Sequence, residues 1–490
     1  MRGLIALGAA CVTGLAVASI ASAAPPVVAS GLSPFTGCTA DNPVAQQAFS
    51  TLYPNAEPEP RSDINPTNSL NIVGAYQQDR WDNGGARGLV ASWTKDGGTT
   101  WHPVVVPGIS KCSGGIYDRA SDPWVSFAPT GDLYSLSLSF DAFDTHNAII
   151  VNKSTDGGVH WGPPLEVTAD DTNGLDKQSI TADPYDANRV YAVWDRFLSP
   201  PGINANDQGK INARSYVEQS WFSRTTDGGA TWEPARAIFN PGTHAGTIGN
   251  IVVVLPNLTH DLIDGFILFA DHNSKIRGTQ IALVRSTDHG ATWSKKPIII
   301  AQTDPGFLGP VDPDNGQPIR GGELPDFAVD PHRGTAYAVW EDDLLTGVDA
   351  IMFSQSTDGG FTWSTPIKIN QTPTSIPPGD QQAFTPTVKV AANGTVGVTY
   401  YDLRSNTPAP GLPTDYWLVR CALACTSSPS WSETHVAGPF DEEQAAFARG
   451  YFLGDYEGLT TSGNVFQPFF VQAVGRAAGN PSDVYFATVP

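Results

Sequence analysis

The chain repeats one short stretch five times, first as Thr94-Lys95-Asp96-Gly97-Gly98-Thr99-Thr100-Trp101. All copies share the pattern [S/T]-x-D-x-G-x-x-W, and the other four begin at Ser154, Thr225, Ser286 and Ser356. The Asp carboxylate can accept backbone N–H groups, the Gly can adopt a positive φ, and the Trp can pack beneath the loop. The pattern therefore predicts the same hairpin turn at five places.

The spacing of the copies determines the architecture that they predict. The five aspartates are separated by 60, 71, 61 and 70 residues, a mean period of 65.5. Strand-like runs surround each copy, such as residues 147–153 just before the second turn and 190–194 upstream of the third. A length of 490 residues alone would favour several domains, but a regular period of this size indicates an array or a propeller. We predict an all-β chain that forms a single β-propeller of four-stranded blades with these turns.

The number of blades follows from the regions that lack the motif. Residues from about 382 to 431 keep the order of strands, and residues 451–490 offer three strands without a fourth. We expect the stretch around residues 45–52 to supply that missing outer strand and so to close the ring. This predicts seven blades. Six is the alternative, because the 430 residues from 61 to 490 contain about 6.6 periods.

The first 23 residues are typical of a signal peptide. Arg2 is followed by an apolar run over residues 4–20 and by the small residues Ala21-Ser22-Ala23. No later stretch approaches the length of a membrane-spanning helix. We therefore expect a secreted protein, with residues 24–60 as an N-terminal segment that closes the ring and residues 61–490 as the propeller.

Four cysteines follow the signal peptide, an even number for an oxidising compartment. Of the three pairings, we favour Cys421 with Cys425 across a tight turn and Cys38 with Cys112. A metal site is the competing interpretation, but no histidine pair accompanies the thiols.

Charge and composition limit the partners. The formal net charge of −21 argues against a nucleic-acid partner, which requires a cationic face. We expect a monomer without a cofactor. The loop Asp312-Pro313-Asp314-Asn315-Gly316 has oxygen ligands for Ca²⁺, although a solvated loop is the preferred interpretation.

The repeated motif resembles the Asp box, or bacterial neuraminidase repeat, of the sialidase superfamily of secreted β-propellers. The resemblance covers about residues 61–490 and implies an exo-glycosidase. Members of that superfamily hold a substrate carboxylate with three arginines, whose guanidinium fork matches a carboxylate. They use an Asp as acid/base and a Tyr nucleophile activated by a Glu, rather than the usual two carboxylates.

The resemblance assigns roles to particular residues. Asp82, in a loop before a strand, matches the acid/base, Tyr456 matches the nucleophile, and Glu323 matches its activating partner. Arg61 matches the first arginine, although its flanking residues differ from the family pattern. The arginine expected where Glu341-Asp342-Asp343 stands is missing. The other candidates for binding substrate are Arg80, Arg119, Asp122, Arg404 and Arg420.

Three functions are consistent with these residues. The first is an exported, sialidase-like glycoside hydrolase that acts on terminal acidic sugars of glycans. The second is a non-catalytic propeller that binds a glycan or a protein. The third is a polysaccharide lyase on a seven-bladed ring, which would need a Tyr or His base; none of the nine histidines stands out for that role.

Overall fold

A computed structural model describes residues 23–41, 50–198, 217–304, 309–321 and 324–490. The described chain is all-β: strands β1 to β32 are accompanied only by short 3-10 turns. Those turns are Lys111–Ser113, Pro378–Gln381, Ser428–Ser430, Glu442–Gln444 and Arg476–Ala478. Apart from Ala23, the predicted signal peptide lies outside the described residues. No helix in the described part of the chain is long and apolar enough to cross a membrane.

The strands form four-stranded antiparallel units. Two short strands precede the units, β1 (Val27–Val28) and β2 (Leu52–Tyr53). Unit 1 contains β3 (Arg61–Ile64), β4 (Ile72–Trp81), β5 (Ala86–Thr94) and β6 (His102–Val105). Unit 2 contains β7 (Arg119–Phe127), β8 (Leu133–Phe140), β9 (Asn147–Ser154) and β10 (Leu165–Asp170). Unit 3 contains β11 (Gly174–Ala182), β12 (Val190–Leu198), β13 (Val217–Thr225) and β14 (Arg236–Phe239).

The remaining units repeat this order. Unit 4 contains β15 (Ala245–Val254), β16 (Leu262–Ala270), β17 (Thr279–Ser286) and β18 (Ile298–Thr303), followed by the short β19 (Ile319–Arg320). Unit 5 contains β20 (Asp326–Val329), β21 (Ala336–Asp342), β22 (Ala350–Ser356) and β23 (Ile367–Lys368). Unit 6 contains β24 (Ala383–Val390), β25 (Val396–Asp402), β26 (Pro413–Cys421) and β27 (Ser432–Asp441), followed by β28 (Ala446–Phe447) and β29 (Tyr451–Phe452). Unit 7 contains β30 (Gly458–Ser462), β31 (Val465–Gly475) and β32 (Asn480–Phe486).

The first strand of each unit, here called its inner strand, contacts the inner strand of the next unit. These contacts run from β3 through β7, β11, β15, β20 and β24 to β30, and β30 in turn contacts β3. The core lies between the units, where second strands carry buried aromatic rings. These rings are Tyr76, Tyr134, Trp194, Phe266, Trp340, Tyr400 and Phe470. Because strands alternate in direction, the starts of all inner strands share one edge, called the upper edge here. The opposite edge is the motif edge.

The fourth strand of unit 7 comes from the N-terminal segment. Strand β1 pairs antiparallel with β32, so that Val27 lies opposite Phe486. We predicted this strand around residues 45–52, and its position differs. Leu52–Tyr53 pairs instead with the end of β4, and residues 42–49 lie outside the described ranges.

Each motif forms a turn between the third and fourth strands of units 1 to 5. In the first turn, the Asp96 carboxylate accepts the Thr100 N–H at 3.0 Å and the Thr94 hydroxyl at 2.7 Å. The indole N–H of Trp101 donates to the Gly98 carbonyl at 3.1 Å. In the third turn, equivalent hydrogen bonds from the Thr231 side chain and backbone lower the pKa of Asp227 to about 2. The predicted roles of Asp, Gly and Trp are therefore seen in the structure.

The glycine two residues after the Asp of each turn packs against the preceding unit. A Cβ on Gly98 would lie 2.1 Å from the Phe486 ring of unit 7, and one on Gly158 would lie 2.7 Å from Val73 of unit 1. The corresponding glycines of the next three turns would meet Tyr134, Phe222 and Ile263, each in the unit before. The motif thus joins neighbouring units as well as two strands.

We expect Gly98→Ala to destabilise the protein by about 1–3 kcal/mol more than Gly97→Ala, which is the matched control. Both glycines have positive φ, 95° and 76°, so both variants carry backbone strain. Only at position 98 does the added methyl group overlap an aromatic ring; at position 97 its nearest neighbour is Leu70 at 3.3 Å. Urea unfolding of both variants measures the difference, and equal midpoints would contradict this packing.

Both predicted disulfides are confirmed. Cys38 is bonded to Cys112, and Cys421 is bonded to Cys425. The first disulfide attaches the N-terminal segment to unit 1, where Phe35 fills the space above Gly88. Because the four thiols are oxidised, the metal site that competed with the disulfides is excluded for these cysteines.

Candidate active site

Backbone bulges mark the beginnings of four inner strands. The pairing register of β7 shifts between Ser121 and Trp124, and that of β11 between Asp176 and Ser179. Strands β15 and β24 have the same irregularity. Within the first two bulges, Asp122 and Lys177 have φ values of 54° and 47°, which are unfavourable for side chains other than glycine. A bulge redirects the side chains beside it, and here it brings polar groups from different units together.

Four charged side chains meet at the upper edge and are called the central cluster: Glu59, Asp122, Lys177 and Asp455. The Lys177 Nζ lies 3.1 Å from Glu59 Oε1 and 3.3 Å from Asp122 Oδ2. It also donates to the Asp455 carboxylate. Lys177 and Asp122 lie on the inner strands of units 3 and 2, and Glu59 and Asp455 lie just before the inner strands of units 1 and 7. The cluster therefore forms only when these units are folded together.

Neutral side chains complete the hydrogen bonding of the central cluster. The Gln77 amide donates to Glu59 and, at 3.2 Å, to the Ser121 hydroxyl. The Ser121 hydroxyl donates to Asp122 Oδ1 at 2.7 Å. Arg80 Nη1 donates to the side-chain oxygen Oε1 of Gln77 at 2.6 Å, so this predicted residue does reach the site.

Three arginines border the central cluster and are called the arginine rim: Arg80, Arg320 and Arg449. Arg320 lies 3.3 Å from the Asp455 carboxylate, and both Arg80 and Arg320 stack on the Phe452 ring. Burial and the charge of Arg320 lower the pKa of Arg80 to about 10. Desolvation and the same charge lower the pKa of Arg449. Desolvation of Arg320 is outweighed by the carboxylates around it, Asp455 first, which raise its pKa. Three guanidinium groups in one neighbourhood form a site that favours an anion.

The carboxyl groups of this site differ in protonation. Burial, with the charge of Asp122, raises the pKa of Asp176 to about 6. Burial alone would also raise the pKa of Asp455, but Arg320 and Lys177 outweigh it and hold that pKa well below its ordinary value. Neighbouring carboxyl groups whose pKa values move in opposite directions are the usual arrangement of an acid and a base in catalysis. The Asp455 side chain is 13% exposed and that of Arg320 is 22% exposed, so the cluster opens on this side.

A small cavity of about 20 Å³, room for about one water molecule, adjoins the cluster and is lined by Arg61, Trp124, Asp326 and Tyr456. Arg61 lies 4.0 Å above the Trp124 ring and 3.3 Å from the Asp326 carboxylate. The Tyr456 hydroxyl donates to the Pro123 carbonyl at 3.3 Å. Burial and the charge of Glu59 raise the pKa of Tyr456, which keeps its hydroxyl neutral. The structure thus brings together two predicted residues, Arg61 and Tyr456.

Asp82 follows strand β4 in unit 1, and Arg119 is the first residue of strand β7 in unit 2. The Asp82 N–H donates to the Thr51 carbonyl, and one carboxylate oxygen of Asp82 is buried without a hydrogen-bond partner. Arg119 donates to Asn83 and to the Gly84 carbonyl, both at 2.7 Å, and stacks on Trp81. Among the hydrogen bonds and ion pairs of the described residues, none joins Asp82 to Tyr456.

Arg404 and Arg420 both lie in unit 6. Arg404 forms ion pairs with Asp402 and Glu433 at 2.6 Å each and stacks on Trp417. Arg420 donates to the Thr434 hydroxyl at 2.9 Å and to the Pro490 carbonyl. Both guanidinium groups are engaged by partners away from the central cluster, so neither joins the arginine rim.

Two candidates from the sequence remain, Glu323 and the loop of residues 312–316. Glu323 lies outside the described residues. In the loop proposed for Ca²⁺, the Asp312 carboxylate accepts the Asp314 N–H at 2.9 Å, as in an ordinary polar turn.

Sequence reasoning overlooked Glu59, Arg320 and Asp455 as site residues. Glu59 and Asp455 lie within a few residues of Arg61 and Tyr456, which were selected. One further feature of the sequence could have indicated Glu59. Glu59, Asp122 and Lys177 each lie five residues before the last residue of an inner strand.

No family model matches the chain. Two curated relatives are xyloglucanases: one from Paenibacillus sp is 29% identical over 292 residues, and Xgh74A from Acetivibrio thermocellus is 29% identical over 165 residues. The matches cover 56% and 31% of this chain but only 24% and 16% of those proteins, so the chain spans at most about a quarter of their length.

The solved structures that resemble the chain include sialidases and an arabinanase. A Hadza microbial sialidase is 14% identical with a TM-score of 0.48, over 87% of this chain and 74% of that one. The Penicillium chrysogenum α-L-arabinanase is 13% identical with a TM-score of 0.46, over 95% and 98% of the two chains. The NanB sialidase from Streptococcus pneumoniae is 10% identical with a TM-score of 0.46, over 90% and 94%. Sialidases are thus among the structures that this chain resembles.

Proposed function

We propose that the protein is an exported glycoside hydrolase that acts on terminal acidic sugars of glycans, built on one seven-bladed propeller. The observation that carries the proposal is the pair of carboxyl groups with opposite pKa shifts, Asp176 and Asp455, beside the arginine rim. The seven units with their continuous circle of inner-strand contacts support the propeller. The two disulfides and the sequence of residues 1–23 support export.

The chemistry divides between the two carboxyl groups. Asp176, protonated below about pH 6, donates a proton to the leaving oxygen of the glycosidic bond. Asp455, held ionised by Lys177 and Arg320, acts on the opposite side of the sugar as base or nucleophile. The arginine rim holds the carboxylate of the substrate, because a guanidinium group pairs with a carboxylate through two parallel hydrogen bonds.

The sequence-based roles of Tyr456 and Asp82 give a second mechanism for the same function. Tyr456 favours it by lining the cavity beside Arg61. Asp176→Asn, Asp455→Asn, Tyr456→Phe and Asp82→Asn, assayed on an aryl glycoside of sialic acid and one of a uronic acid, separate the mechanisms. Large losses only in the first two support the carboxyl pair. Large losses only in the last two support the tyrosine mechanism instead.

We expect kcat/KM to decrease as pH rises through about 6, because Asp176 must be protonated to donate. The pKa of Asp455 is lowered, so this group stays ionised on the acidic side of that limb. A pH profile of kcat/KM tests this expectation, and Asp176→Asn should remove the alkaline limb. A wild-type rate that stays constant from pH 5 to pH 8 would assign the proton donor to another group.

The two other functions give different results in the same assays. A binding propeller would retain a polysaccharide without turnover of any glycan. A lyase would release fragments of a polyuronate that show the ultraviolet absorbance of an unsaturated uronate, whereas a hydrolase would release fragments without that absorbance.

A further inference from the structure

In units 2 and 3, a Lys or Arg side chain just before the motif turn donates a hydrogen bond to the motif turn of the next unit. Lys153 Nζ donates to the Gly228 carbonyl at 2.9 Å, in the turn of unit 3. Arg224 Nη1 donates to the Asp288 carbonyl at 3.3 Å, in the turn of unit 4. In the same arrangement, Arg285, which precedes the motif turn of unit 4, would donate a hydrogen bond to a carbonyl in the motif turn of unit 5.

Arg285 departs from this arrangement. Its guanidinium stacks on the Phe361 ring at 3.7 Å and pairs with Asp261 at 3.1 Å, and among the hydrogen bonds of the described residues none joins it to the turn carbonyls of unit 5. Arg285 is 7% exposed, and its Nε is buried without a hydrogen-bond partner. Arg285 therefore serves as a buried support for the Phe361 ring, because a guanidinium group stacks favourably on an aromatic face.

Phe361 also departs from the repeat. The four other turns carry Thr99, Val159, Ala230 and Ala291 at this position. Phe361 is 59% exposed, with one face against Arg285. An exposed aromatic face on a rigid turn is a platform on which a sugar ring can stack.

These two residues line a cleft between units 4 and 5. Its volume is about 720 Å³, including its open mouth, and Asn257, His332 and Arg333 also line it. The Arg333 side chain is 58% exposed and has one ion pair, with Asp330 at 3.4 Å. The cleft lies at the motif edge, whereas the central cluster lies at the upper edge, so the two sites are separate.

We propose that this cleft binds an acidic saccharide, independently of the active site. One sugar ring stacks on the exposed face of Phe361, and its carboxylate accepts hydrogen bonds from the exposed Arg333 side chain. The cleft would hold a polymeric glycan on the enzyme while a chain end is at the upper edge.

The test uses the whole protein and measures binding of trigalacturonate by calorimetry, with cellotriose as the neutral comparison. Phe361→Ala introduces the residue that two other turns already carry, so it should fold normally. We expect this variant and Arg333→Gln each to weaken trigalacturonate binding by at least tenfold. Neither should change kcat/KM on a small aryl glycoside, and Arg224→Gln serves as the control for an arginine outside the cleft.

Three results would overturn the proposal: no binding of trigalacturonate by the wild type, equal binding of cellotriose, or unchanged affinity of Phe361→Ala. Failure of the proposed function would instead show as absent turnover. Binding that depends on Phe361 would remain in that case, so the two failures are distinguishable.

Discussion

Replacing Asp455 by Asn is expected to lower kcat/KM on an aryl glycoside of an acidic sugar by about 10²–10⁴-fold. Asn keeps the shape of the side chain but can neither accept a proton nor attack the sugar. Lys177 would keep Glu59 and Asp122 as partners, whereas Arg320 would lose its ion pair with Asp455. The loss should therefore appear mainly in kcat, measured from initial rates over a range of substrate concentrations.

Asp82→Asn is the matched control for Asp455→Asn. It makes the same chemical change in a residue that touches neither the central cluster nor the cavity in the described contacts. We expect it to keep activity within a few-fold of the wild type. Thermal melting of both variants excludes loss of fold as the cause, and an Asp455→Asn enzyme that is folded and fully active would remove this residue from the mechanism.

Replacing Lys177 by Met is expected to destabilise the protein by about 3–5 kcal/mol. The ammonium group is the shared partner of Glu59, Asp122 and Asp455, and its removal leaves these buried carboxyl groups facing one another. Methionine has a similar length and no charge, so the loss measures the ion pairs rather than packing. Urea unfolding at pH 7 gives the free energy of unfolding.

Lys111→Met provides the comparison, because the Lys111 side chain is 37% exposed and its ion pair with Asp118 is partly solvated. Pairs of that kind contribute about 0–1 kcal/mol. The loss in Lys177→Met should shrink at low pH, where the carboxyl groups become protonated and no longer need a cation. If both variants lost the same stability at pH 7, the central cluster would not be a significant source of stability.

The repeated turn could be predicted from sequence because its chemistry is local. Asp96, Gly98 and Trp101 make their contacts within eight residues of chain, so the pattern itself contains the structure. The same holds for the Cys421–Cys425 disulfide, which spans four residues. The strand order followed from the period, since each unit repeats the one before it.

The strand that completes unit 7 could not be located in this way. Strand β1 is only two residues long and has no alternation that distinguishes it from the stretch around residues 45–52. Its position depends on Phe35 and on the Cys38–Cys112 disulfide, which attach the segment far from its sequence neighbours.

The active site was predicted only in part, for a similar reason. Arg61 and Tyr456 were recognised from motif positions, and both line the cavity. Glu59, Lys177 and Asp455 meet because the starts of the inner strands of units 7, 1, 2 and 3 share the upper edge, and this relationship spans the whole length of the chain. Arg404 was selected as the end residue of a strand, but Asp402 and Glu433 engage it within unit 6.

The pairing of Val27 with Phe486 determines when folding can be completed. During synthesis, residue 27 emerges hundreds of residues before residue 486, so β1 has no strand partner while the other sheets form. An unpaired strand can pair with a second molecule, and so can the edge of β32 until β1 joins it. Joining the two ends makes a contact of very long sequence separation, and we expect dimers formed at high concentration to exchange β1 between chains.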